Sequence, residues 1–425
     1  MLPRELSIGE AAAALGRREF SALELAQSCL DRIAAREPEV GAWTWLDPEA
    51  VLAQARACDA REPAGPLHGI PFGIKDIIDT ADMPTGYGSP IYAGHRPPMD
   101  ASCVALLKRA GAVIVGKTVT TEFAFFKAGK TRNPHNPMHT PGGSSSGSAA
   151  AVADCMVHGA LGSQTAGSLI RPASYCGVVG YKPTWGDFDL TGVKGLAHSL
   201  DTLGVLTRSV ADAALLRDVL MAREPQRLEP DAHWRPSIGL CRTPTWLEAS
   251  SATRDALEKL MLTLAQLGAR VGEAVLPENF DGFVEIQRRL MAFEVSRSLA
   301  PEKRAHAQQL SEPIRQLIEL GEAIGADDYL SAKSTAEQGV GEIETLFDTW
   351  DVLIAPCAPG EAPRAIEGTG DPVFSRLWML LGVPSLALPA LTGPGGLPVG
   401  VQLIGPRFGD ERLLRAARWL ERALH

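Results

Sequence analysis

The 425-residue sequence predicts an α/β fold in which a β-sheet core is covered by helices on both faces. Between residues 67 and 220, apolar runs typical of strands (GIPFGI, AVIVG, GVVGY) alternate with helix-like runs such as Cys103 to Ala110 and Ser148 to Val157. A composition that is 45% apolar, over this length, also provides side chains for one large core. We therefore predict one domain spanning residues 1–425.

The chain begins with two helix start signals. Ser7 with Glu10, and Ser21 with Glu24, each place a serine three residues before a glutamate at the start of an apolar-periodic run, which is the pattern of a capping box. Residues 1–60 are therefore predicted to form an N-terminal helical arm, and residues 61–221 to form the core of the domain.

The second half of the chain changes in character. Ile238 to Cys241 is typical of a strand, whereas 252–268 and 307–348 have the period of long amphipathic helices. We interpret residues 222–375 as an inserted lobe that shapes the substrate pocket. Residues 376–425 contain strand-like runs (PSLALPAL, VGVQLIG) followed by the helical run ERLLRAARWLERAL, so this segment is predicted to rejoin the sheet.

Charge and hydropathy exclude several classes of partner. The 41 lysines and arginines against 50 aspartates and glutamates give a net charge of −9 without a basic block, so we expect no nucleic acid partner. The charged N-terminus lacks the apolar stretch of a secretory signal, and no run reaches the ~18 to 20 apolar residues of a membrane span. We expect a cytoplasmic protein that binds a small molecule and no membrane.

The seven cysteines indicate neither disulfides nor a metal site. Their number is odd, they are scattered along the chain, and none of them forms a CxxC pair. We predict that they are reduced packing residues, including Cys176, which lies near a candidate nucleophile. We expect no metal and no cofactor.

Two short motifs match known patterns in the wrong context. Residues 111–118 match G-x-x-x-x-G-K-T, but the intervening AVIV is typical of a buried strand rather than of a phosphate-binding turn. Residues 143–147 match G-x-S-x-G, but they follow a loop rich in proline and histidine, whereas the nucleophile elbow of α/β-hydrolases follows a strand. We therefore predict neither a nucleotide site nor an α/β-hydrolase triad.

Segments along nearly the whole chain resemble those of the amidase signature family. Two of them, PGGSSSGS at 141–148 and GSQTAGSLIRPASYC at 162–176, are rich in glycine and serine. The other matching segments are LHGIPFGIKDIIDT, GAVIVGKT, NPHNP, GYKPTWG, SLDTLGVLTRSVADAA and GGLPVGVQLIGP. The resemblance implies the amidase signature fold, an α/β fold with a large mixed β-sheet core covered by helices on both faces, and a Ser-Ser-Lys catalytic triad.

By this resemblance, Ser168 is the nucleophile, Ser144 the bridging serine and Lys75 the general base. Ser168 then forms an acyl-enzyme with the substrate's carbonyl carbon. Lysine acts as a base only when it is neutral, so burial among its apolar neighbours must lower its pKa. Asp76 would oppose this shift, and we predict that its carboxylate points toward a backbone turn. The alternative is that Lys75 and Asp76 form an ordinary surface ion pair.

The family resemblance also implies a cis peptide at Gly143–Ser144 and an oxyanion hole in the turn before the nucleophile. The sequence departs from the common family pattern at Gln164, where most members have aspartate, and at Ala166, where many have glycine. Both changes keep the backbone donors, so they affect fine positioning rather than activity. The predicted donors are the backbone N–H groups of Thr165, Ala166, Gly167 and Ser168.

Three side chains are predicted to bind substrate. Arg171 stands three residues after the nucleophile, rather than two, which is similar to the malonamidase branch, where the corresponding arginine binds a substrate carboxylate. The alternative is that Arg171 ties down a loop. Phe125, in a cluster of phenylalanines, and Trp378 are interpreted as pocket residues, with a place in the core as the alternative for each.

The sequence thus predicts an amidase that hydrolyses the carbon–nitrogen bond of a small amide, with a carboxylate-bearing half-amide as the first substrate candidate. One alternative keeps the fold and hydrolyses aryl or alkyl amides, esters or carbamates. Another is the catalytic component of a glutamine-dependent amidotransferase, which needs partner proteins. The most remote is a non-catalytic binding protein on the same scaffold. A homodimer is a candidate assembly.

Overall fold

A computed structural model describes residues 2–226, 228 and 233–424 of the chain. Eleven strands and fourteen α-helices lie in this described part. The strands are β1 (Trp43–Leu46), β2 (Pro71–Lys75), β3 (Val113–Thr118), β4 (Gly159–Gln164), β5 (Val179–Lys182), β6 (Thr202–Thr207), β7 (Ser237–Leu240), β8 (Arg270–Glu273), β9 (Val352–Pro356), β10 (Ser385–Thr392) and β11 (Pro398–Ile404). The helices are α1 (Ile8–Gly16), α2 (Ala22–Val40), α3 (Pro48–Asp59), α4 (Ser102–Arg109), α5 (Ser146–Ala153), α6 (Ile170–Cys176), α7 (Val210–Leu220), α8 (Ser251–Gln266), α9 (Phe283–Ser298), α10 (Ala300–His306), α11 (Glu312–Glu322), α12 (Ala326–Glu344), α13 (Val373–Leu380) and α14 (Asp410–Leu424).

All eleven strands belong to one sheet, in the order β1-β3-β2-β4-β6-β5-β10-β11-β9-β7-β8. Strand β2 pairs in parallel with β3 and with β4, and β7 pairs in parallel with β8 and with β9, whereas the other pairs are antiparallel. The sheet is therefore mixed, and the predicted fold class is confirmed.

Side chains that alternate along the strands enter two separate hydrophobic clusters. On β3, Ile114 belongs to one cluster and its neighbours Val113 and Val115 to the other. On β4, Leu161 and Ala160 divide in the same way. Successive side chains of a strand point to opposite faces, so both faces of the sheet are covered. Residues from α4, α7, α9 and α14 are in the first cluster, and residues from α2, α3, α5 and α6 are in the second.

The N-terminal arm is partly as predicted. Ser7 and Ser21 are the N-cap residues of α1 and α2, and both form the expected capping boxes with Glu10 and Glu24. The 1–60 segment is not helical throughout, because Trp43–Leu46 forms β1, which pairs with β3 at the edge of the sheet. This four-residue strand is too short to produce a clear alternation in the sequence.

The second half of the chain contributes to the same sheet. The strand predicted near 238 is β7, and together with β8 and β9 it forms the far end of the sheet. The helices predicted at 252–268 and within 307–348 are α8, α11 and α12. Strand β10 pairs with β5, so residues 376–425 contribute strands to the same sheet.

The remaining sequence features agree with packing roles. All seven cysteines are free, and all but Cys155 are buried, as expected for packing residues. The P-loop-like segment is β3 itself, which confirms that it is a buried strand.

Among the described residues, no helix combines the length and the apolar character that a membrane crossing requires.

Two helical glycines give a matched test of how α5 is held against the sheet. A Cβ atom at Gly147 would lie 2.2 Å from the Ala42 carbonyl oxygen and 2.3 Å from the Val119 nitrogen, whereas one at Gly341 on α12 would meet nothing within 4 Å. We expect Gly147→Ala to lower the free energy of unfolding by about 1–3 kcal/mol or more, because backbone atoms must move. Gly341→Ala should raise it by about 0.5–1 kcal/mol. Urea unfolding measures both, and equal effects would contradict this account.

Candidate active site

The three residues of the predicted triad meet at one edge of the sheet. Lys75 is the last residue of β2, and Ser168 lies in the turn between β4 and α6. Strands β2 and β4 are parallel neighbours, so their carboxyl ends lie side by side. Ser144 is in the loop that precedes α5 and is brought to the same edge.

Lys75 is fully buried and lies between two hydroxyl groups. Its Nζ is 2.7 Å from Ser144 Oγ and 2.8 Å from Ser163 Oγ. Burial holds the pKa of this amine well below its ordinary value of 10.5, and the negative charge of Asp201 only partly opposes the shift. The alternative of a surface ion pair with Asp76 is therefore wrong, because the lysine is not exposed.

Ser163, the second hydroxyl at the lysine, was not among the site residues predicted from the sequence. It lies one residue before the end of β4, after four small or apolar residues (GALG). A hydroxyl in such a buried strand needs a polar partner, and this requirement was the signal in the sequence that Ser163 makes a polar contact. Only the register of β4 against β2 identifies the partner as Lys75.

Asp76 points away from the lysine, as predicted. Its carboxylate accepts a hydrogen bond of 3.1 Å from the N–H of Gly86. On the same side, Lys117 Nζ lies 3.8 Å from Asp76 Oδ1 and donates to the hydroxyl of Thr85 at 2.8 Å. Burial raises the pKa of Asp76 to about 6 and lowers the pKa of Lys117 to about 8. A second buried lysine thus provides the counter-charge of this carboxylate.

The loop that carries Ser144 is held against the nucleophile turn. The Gly143–Ser144 peptide is cis, as the family resemblance implies. The N–H of Ser145 donates to the carbonyl of Ser168 at 3.1 Å, which joins this loop to the nucleophile turn. The loop follows irregular chain rather than a strand, which supports the rejection of an α/β-hydrolase elbow.

The turn around Ser168 is stabilised by the glutamine that replaces the usual aspartate. Gln164 Oε1 accepts hydrogen bonds of 2.9 Å from the N–H of Leu169 and 3.0 Å from the N–H of Ile170. The carboxamide oxygen thus supplies the acceptor that a carboxylate would supply. Asp201 is a further residue that the sequence analysis missed; it accepts a hydrogen bond of 2.5 Å from the Thr165 hydroxyl.

The backbone N–H groups of this turn remain available to a ligand. In the described part of the chain, no acceptor is present for the N–H groups of Thr165, Ala166, Gly167 or Ser168. Unpaired buried N–H groups are uncommon in proteins. Several of them in one turn, beside a candidate nucleophile, have the character of a site for a developing oxyanion.

A small cavity lies over these groups and is lined by Ser144, Ser168 and Ala166, together with Phe125 and Arg171. The structure therefore brings two of the three predicted substrate-binding residues to the cavity. Trp378 does not line it; the indole is fully buried in the core on α13. The alternative that places Trp378 in the core is the correct one, because this side chain packs in the main hydrophobic cluster and not among the residues that line the cavity. Within the described residues, the hydroxyl of Ser168 makes no hydrogen bond to Ser144.

Arg171, on α6, is buried and connects two loops. Its guanidinium donates to the carbonyl oxygens of Gly143 at 2.6 Å and of Gly370 at 2.7 Å, and it contacts the hydroxyl of Thr369 at 3.4 Å. Burial lowers the pKa of Arg171 to about 10, so it remains a cation at neutral pH. Its Nε–H has no acceptor among the described residues. Arg171 thus ties down loops and also faces the cavity.

No metal site is evident within residues 2–226, 228 and 233–424. In this part of the chain, no group of three or more histidine, cysteine, aspartate or glutamate side chains is placed to hold a metal ion. The polar groups that line the cavity are hydroxyls, one arginine and backbone N–H groups, and the buried Lys75 contacts one of these hydroxyls, that of Ser144. Such groups suit proton transfer and anion stabilisation.

The depressed pKa of Lys75 predicts how the free energy of unfolding depends on pH. Between this depressed value and the ordinary value of 10.5, the unfolded chain binds one proton at Lys75 that the folded chain does not bind. This difference makes the free energy of unfolding rise with pH across the window, by about 1.4 kcal/mol per pH unit. We expect the difference between the wild type and Lys75→Met, measured by urea unfolding at several pH values, to follow this slope. A difference that does not change with pH would contradict a buried neutral lysine.

Comparisons with known proteins agree with this geometry. The family model described as Amidase matches residues 24–414. The chain is 34% identical over 478 residues to a glutamyl-tRNA(Gln) amidotransferase subunit of Desulfosudis oleivorans, with 100% of this chain and 98% of that protein covered. The corresponding protein of Chloroflexus aurantiacus is 35% identical over 467 residues, with coverages of 96% and 95%.

Solved structures give the same result. A structure described as "Crystal structure of amidase" superposes with a TM-score of 0.90 at 31% identity, covering 99% of this chain and all of that chain (100%). The native peptide amidase from Stenotrophomonas maltophilia superposes with a TM-score of 0.87, also at 31% identity, with coverages of 99% and 97%. The chain therefore belongs to the amidase family, whose amidase signature fold it adopts, and it is an enzyme that hydrolyses amide carbon–nitrogen bonds.

Proposed function

We propose that amide hydrolysis in this chain proceeds through an acyl-enzyme on Ser168, with Ser144 as the proton bridge and Lys75 as the general base. The observation that carries the proposal is the contact of 2.7 Å between the buried Lys75 amine and the Ser144 hydroxyl. A lysine held neutral at this distance can accept the serine's proton. Ser144 and Ser168 line the same cavity, which supports a relay between the two hydroxyls.

The first half of the reaction forms the ester. Neutral Lys75 takes the proton of Ser144 while Ser144 takes the proton of Ser168, and the Ser168 oxygen bonds to the carbonyl carbon. The carbonyl oxygen becomes an oxyanion, which the unpaired N–H groups of the turn around Ala166 stabilise. The carbon–nitrogen bond then breaks, and the relay returns one proton to the leaving nitrogen.

The second half of the reaction releases the acid. A water molecule gives a proton to the Ser144–Lys75 relay and attacks the carbonyl carbon of the ester. The carbon–oxygen bond to Ser168 then breaks, and Ser168 regains its proton. The products are a carboxylic acid and ammonia or an amine.

We propose a half-amide that bears a carboxylate as the substrate, as in the malonamidase branch of the family. Arg171 supports this proposal because it is the cationic side chain at the cavity and keeps its charge at neutral pH. Its Nε–H is unpaired among the described residues, so it retains donor capacity besides its two carbonyl partners. A carboxylate is the ligand that matches such a donor best.

A second candidate substrate is a neutral aryl or alkyl amide, ester or carbamate. The walls of the cavity support it, because Phe125, Phe126, Leu196 and Met291 give them a largely apolar surface. Apolar walls favour an uncharged acyl group through the hydrophobic effect. In this case Arg171 serves only to hold the loops at Gly143 and Gly370.

A third candidate follows from the relatives named as components of glutamyl-tRNA(Gln) amidotransferase, which are 34–35% identical over nearly the full chain. A component of that kind works in a complex and passes ammonia to another site. We expect the purified chain to hydrolyse amides without a partner. Hydrolysis of glutamine that appears only when a second protein co-purifies would favour the amidotransferase function instead.

Removal of the nucleophile tests the mechanism directly. Ser168→Ala should lower kcat/KM for any amide substrate by at least about 10⁴-fold, and Lys75→Met by at least about 10³-fold, because both act in one proton relay. The matched control is Ser146→Ala, at the first residue of α5 and two residues after Ser144, whose hydroxyl donates to the Val119 carbonyl. Its activity should stay within about threefold of the wild type. Wild-type rates in Ser168→Ala would disprove the acyl-enzyme.

Substrate pairs test the role of Arg171. The pairs consist of a short half-amide and its neutral methyl ester or diamide, assayed by ammonia release. Arg171→Met should raise KM for the half-amide at least about tenfold, the value of a lost charged hydrogen bond, and change KM for the neutral partner by less than about threefold. It should lower kcat on both, because Gly143 loses its anchor. The same rise in KM for both substrates would mean that Arg171 holds loops only.

A further inference from the structure

Behind the nucleophile turn, two helices present a pair of buried polar side chains that the proposed relay does not use. Gln287 on α9 is fully buried, and Arg376 on α13 is nearly so. Arg376 Nη1 donates to Gln287 Oε1 at 2.5 Å, and Gln287 Nε2 donates to the carbonyl oxygen of Thr165 at 3.0 Å. The chain of hydrogen bonds therefore ends on the first residue of the oxyanion turn.

The acceptor at the end of this series of hydrogen bonds is the Thr165 carbonyl, which is part of the peptide group between Thr165 and Ala166 at the cavity. The carbonyl of Thr165 and the N–H of Ala166 belong to one planar trans peptide, so they point in opposite directions. A donor that fixes the carbonyl from the side of α9 therefore fixes the direction of the N–H. Ala166 lines the cavity, and its N–H has no acceptor among the described residues.

We propose that Gln287, oriented by Arg376, is a positioning residue that directs the Ala166 N–H at the oxyanion. The inference rests on the proposed function, because it takes Ser168 as the nucleophile. It adds a residue from the second half of the chain to a reaction whose other groups all come from the first half.

Arg376 gives the glutamine a single orientation. A carboxamide can turn over and exchange its oxygen for its nitrogen, and a turned Gln287 would place an oxygen against the Thr165 carbonyl. The guanidinium of Arg376 only donates, so it selects the orientation in which Oε1 faces Arg376 and Nε2 faces Thr165. Burial lowers the pKa of Arg376 to about 10, which leaves it a cation at neutral pH.

Other contacts hold the turn in place without fixing this peptide. The Thr165 hydroxyl donates to Asp201, and Gln164 caps the far side of the turn. Loss of Gln287 should therefore leave the fold and the cavity walls intact while the Thr165–Ala166 peptide gains freedom to rotate. The N–H is needed more in the transition state than in the bound substrate, so kcat should fall and KM should not.

The test uses the full-length enzyme and two substitutions at Gln287. Gln287→Glu keeps the size and the Arg376 contact but places a carboxylate oxygen against the Thr165 carbonyl. Gln287→Met removes the donor without adding charge. The matched control is Gln402→Met, at another fully buried glutamine, on β11. Three quantities are measured: kcat and KM for the amide, the affinity of methylboronic acid as a tetrahedral adduct, and the affinity of the carboxylate product.

We expect both Gln287 variants to lose about 10- to 100-fold in kcat and a similar factor in boronate affinity. Complete removal of an oxyanion donor lowers kcat about 10²- to 10³-fold, so a misdirected donor should lower it less. KM and product affinity should change by less than about threefold, and Gln402→Met should resemble the wild type in all three quantities. Arg376→Met combined with Gln287→Met should be no worse than Gln287→Met alone, because the two side chains act through one contact.

Two results would overturn the proposal. One is a Gln287→Glu enzyme with wild-type kcat and boronate affinity, and the other is an equal loss in boronate and product affinity. If the glutamate variant does not fold, the Gln287→Met, Arg376→Met double variant carries the same test without a buried charge. The Ser168→Ala variant, assayed in parallel, distinguishes failure of the proposed function from failure of this inference. Activity in Ser168→Ala would overturn the proposed function. An inactive Ser168→Ala together with wild-type behaviour of the Gln287 variants would overturn this inference alone.

Discussion

The buried position of Lys75 is the constraint on which the site depends. An amine at the end of β2 has no water to stabilise its charge, and its two neighbours are hydroxyls rather than carboxylates. The carboxylates that lie nearby have other partners. Asp76 is held by the N–H of Gly86 and faces Lys117, and Asp201 is held by Thr165 and by the N–H groups of the 196–197 turn. Each of these contacts holds a carboxylate away from a direct ion pair with the Lys75 amine. Such an ion pair would raise the pKa of the lysine and keep it protonated.

The second constraint is the arrangement of loops at the sheet edge. The chemistry is concentrated in the β2 to α6 part of the chain, but the cavity is closed by Met291 on α9 and by the segment around Thr369. Arg171 joins these parts, because its guanidinium contacts carbonyls of the Ser144 loop and of the 369–370 segment. A buried cation that binds two carbonyls fixes their separation, so Arg171 holds the Ser144 loop against the 369–370 segment whether or not it also binds substrate.

Much of this protein was predictable from its sequence. The capping boxes at Ser7 and Ser21, the strand at 113–118, and the two glycine- and serine-rich turns each depend on a local pattern, and local patterns survive in the folded chain. The short strand β1 was missed because four residues carry too little periodicity. Trp378 illustrates another limit: an apolar aromatic residue has the same local sequence whether it lines a pocket or the core, and the structure places it in the core.

The sequence by itself determined the residue types that could perform the chemistry: a lysine in an apolar strand and two serines in glycine-rich turns. The tertiary structure alone decided which groups surround them. The contacts of Lys75 with Ser163, of Asp76 with Lys117, and of Gln287 with Thr165 join positions far apart in the chain. They arise from strand register and helix packing, which are properties of the whole fold, so no local pattern encodes them.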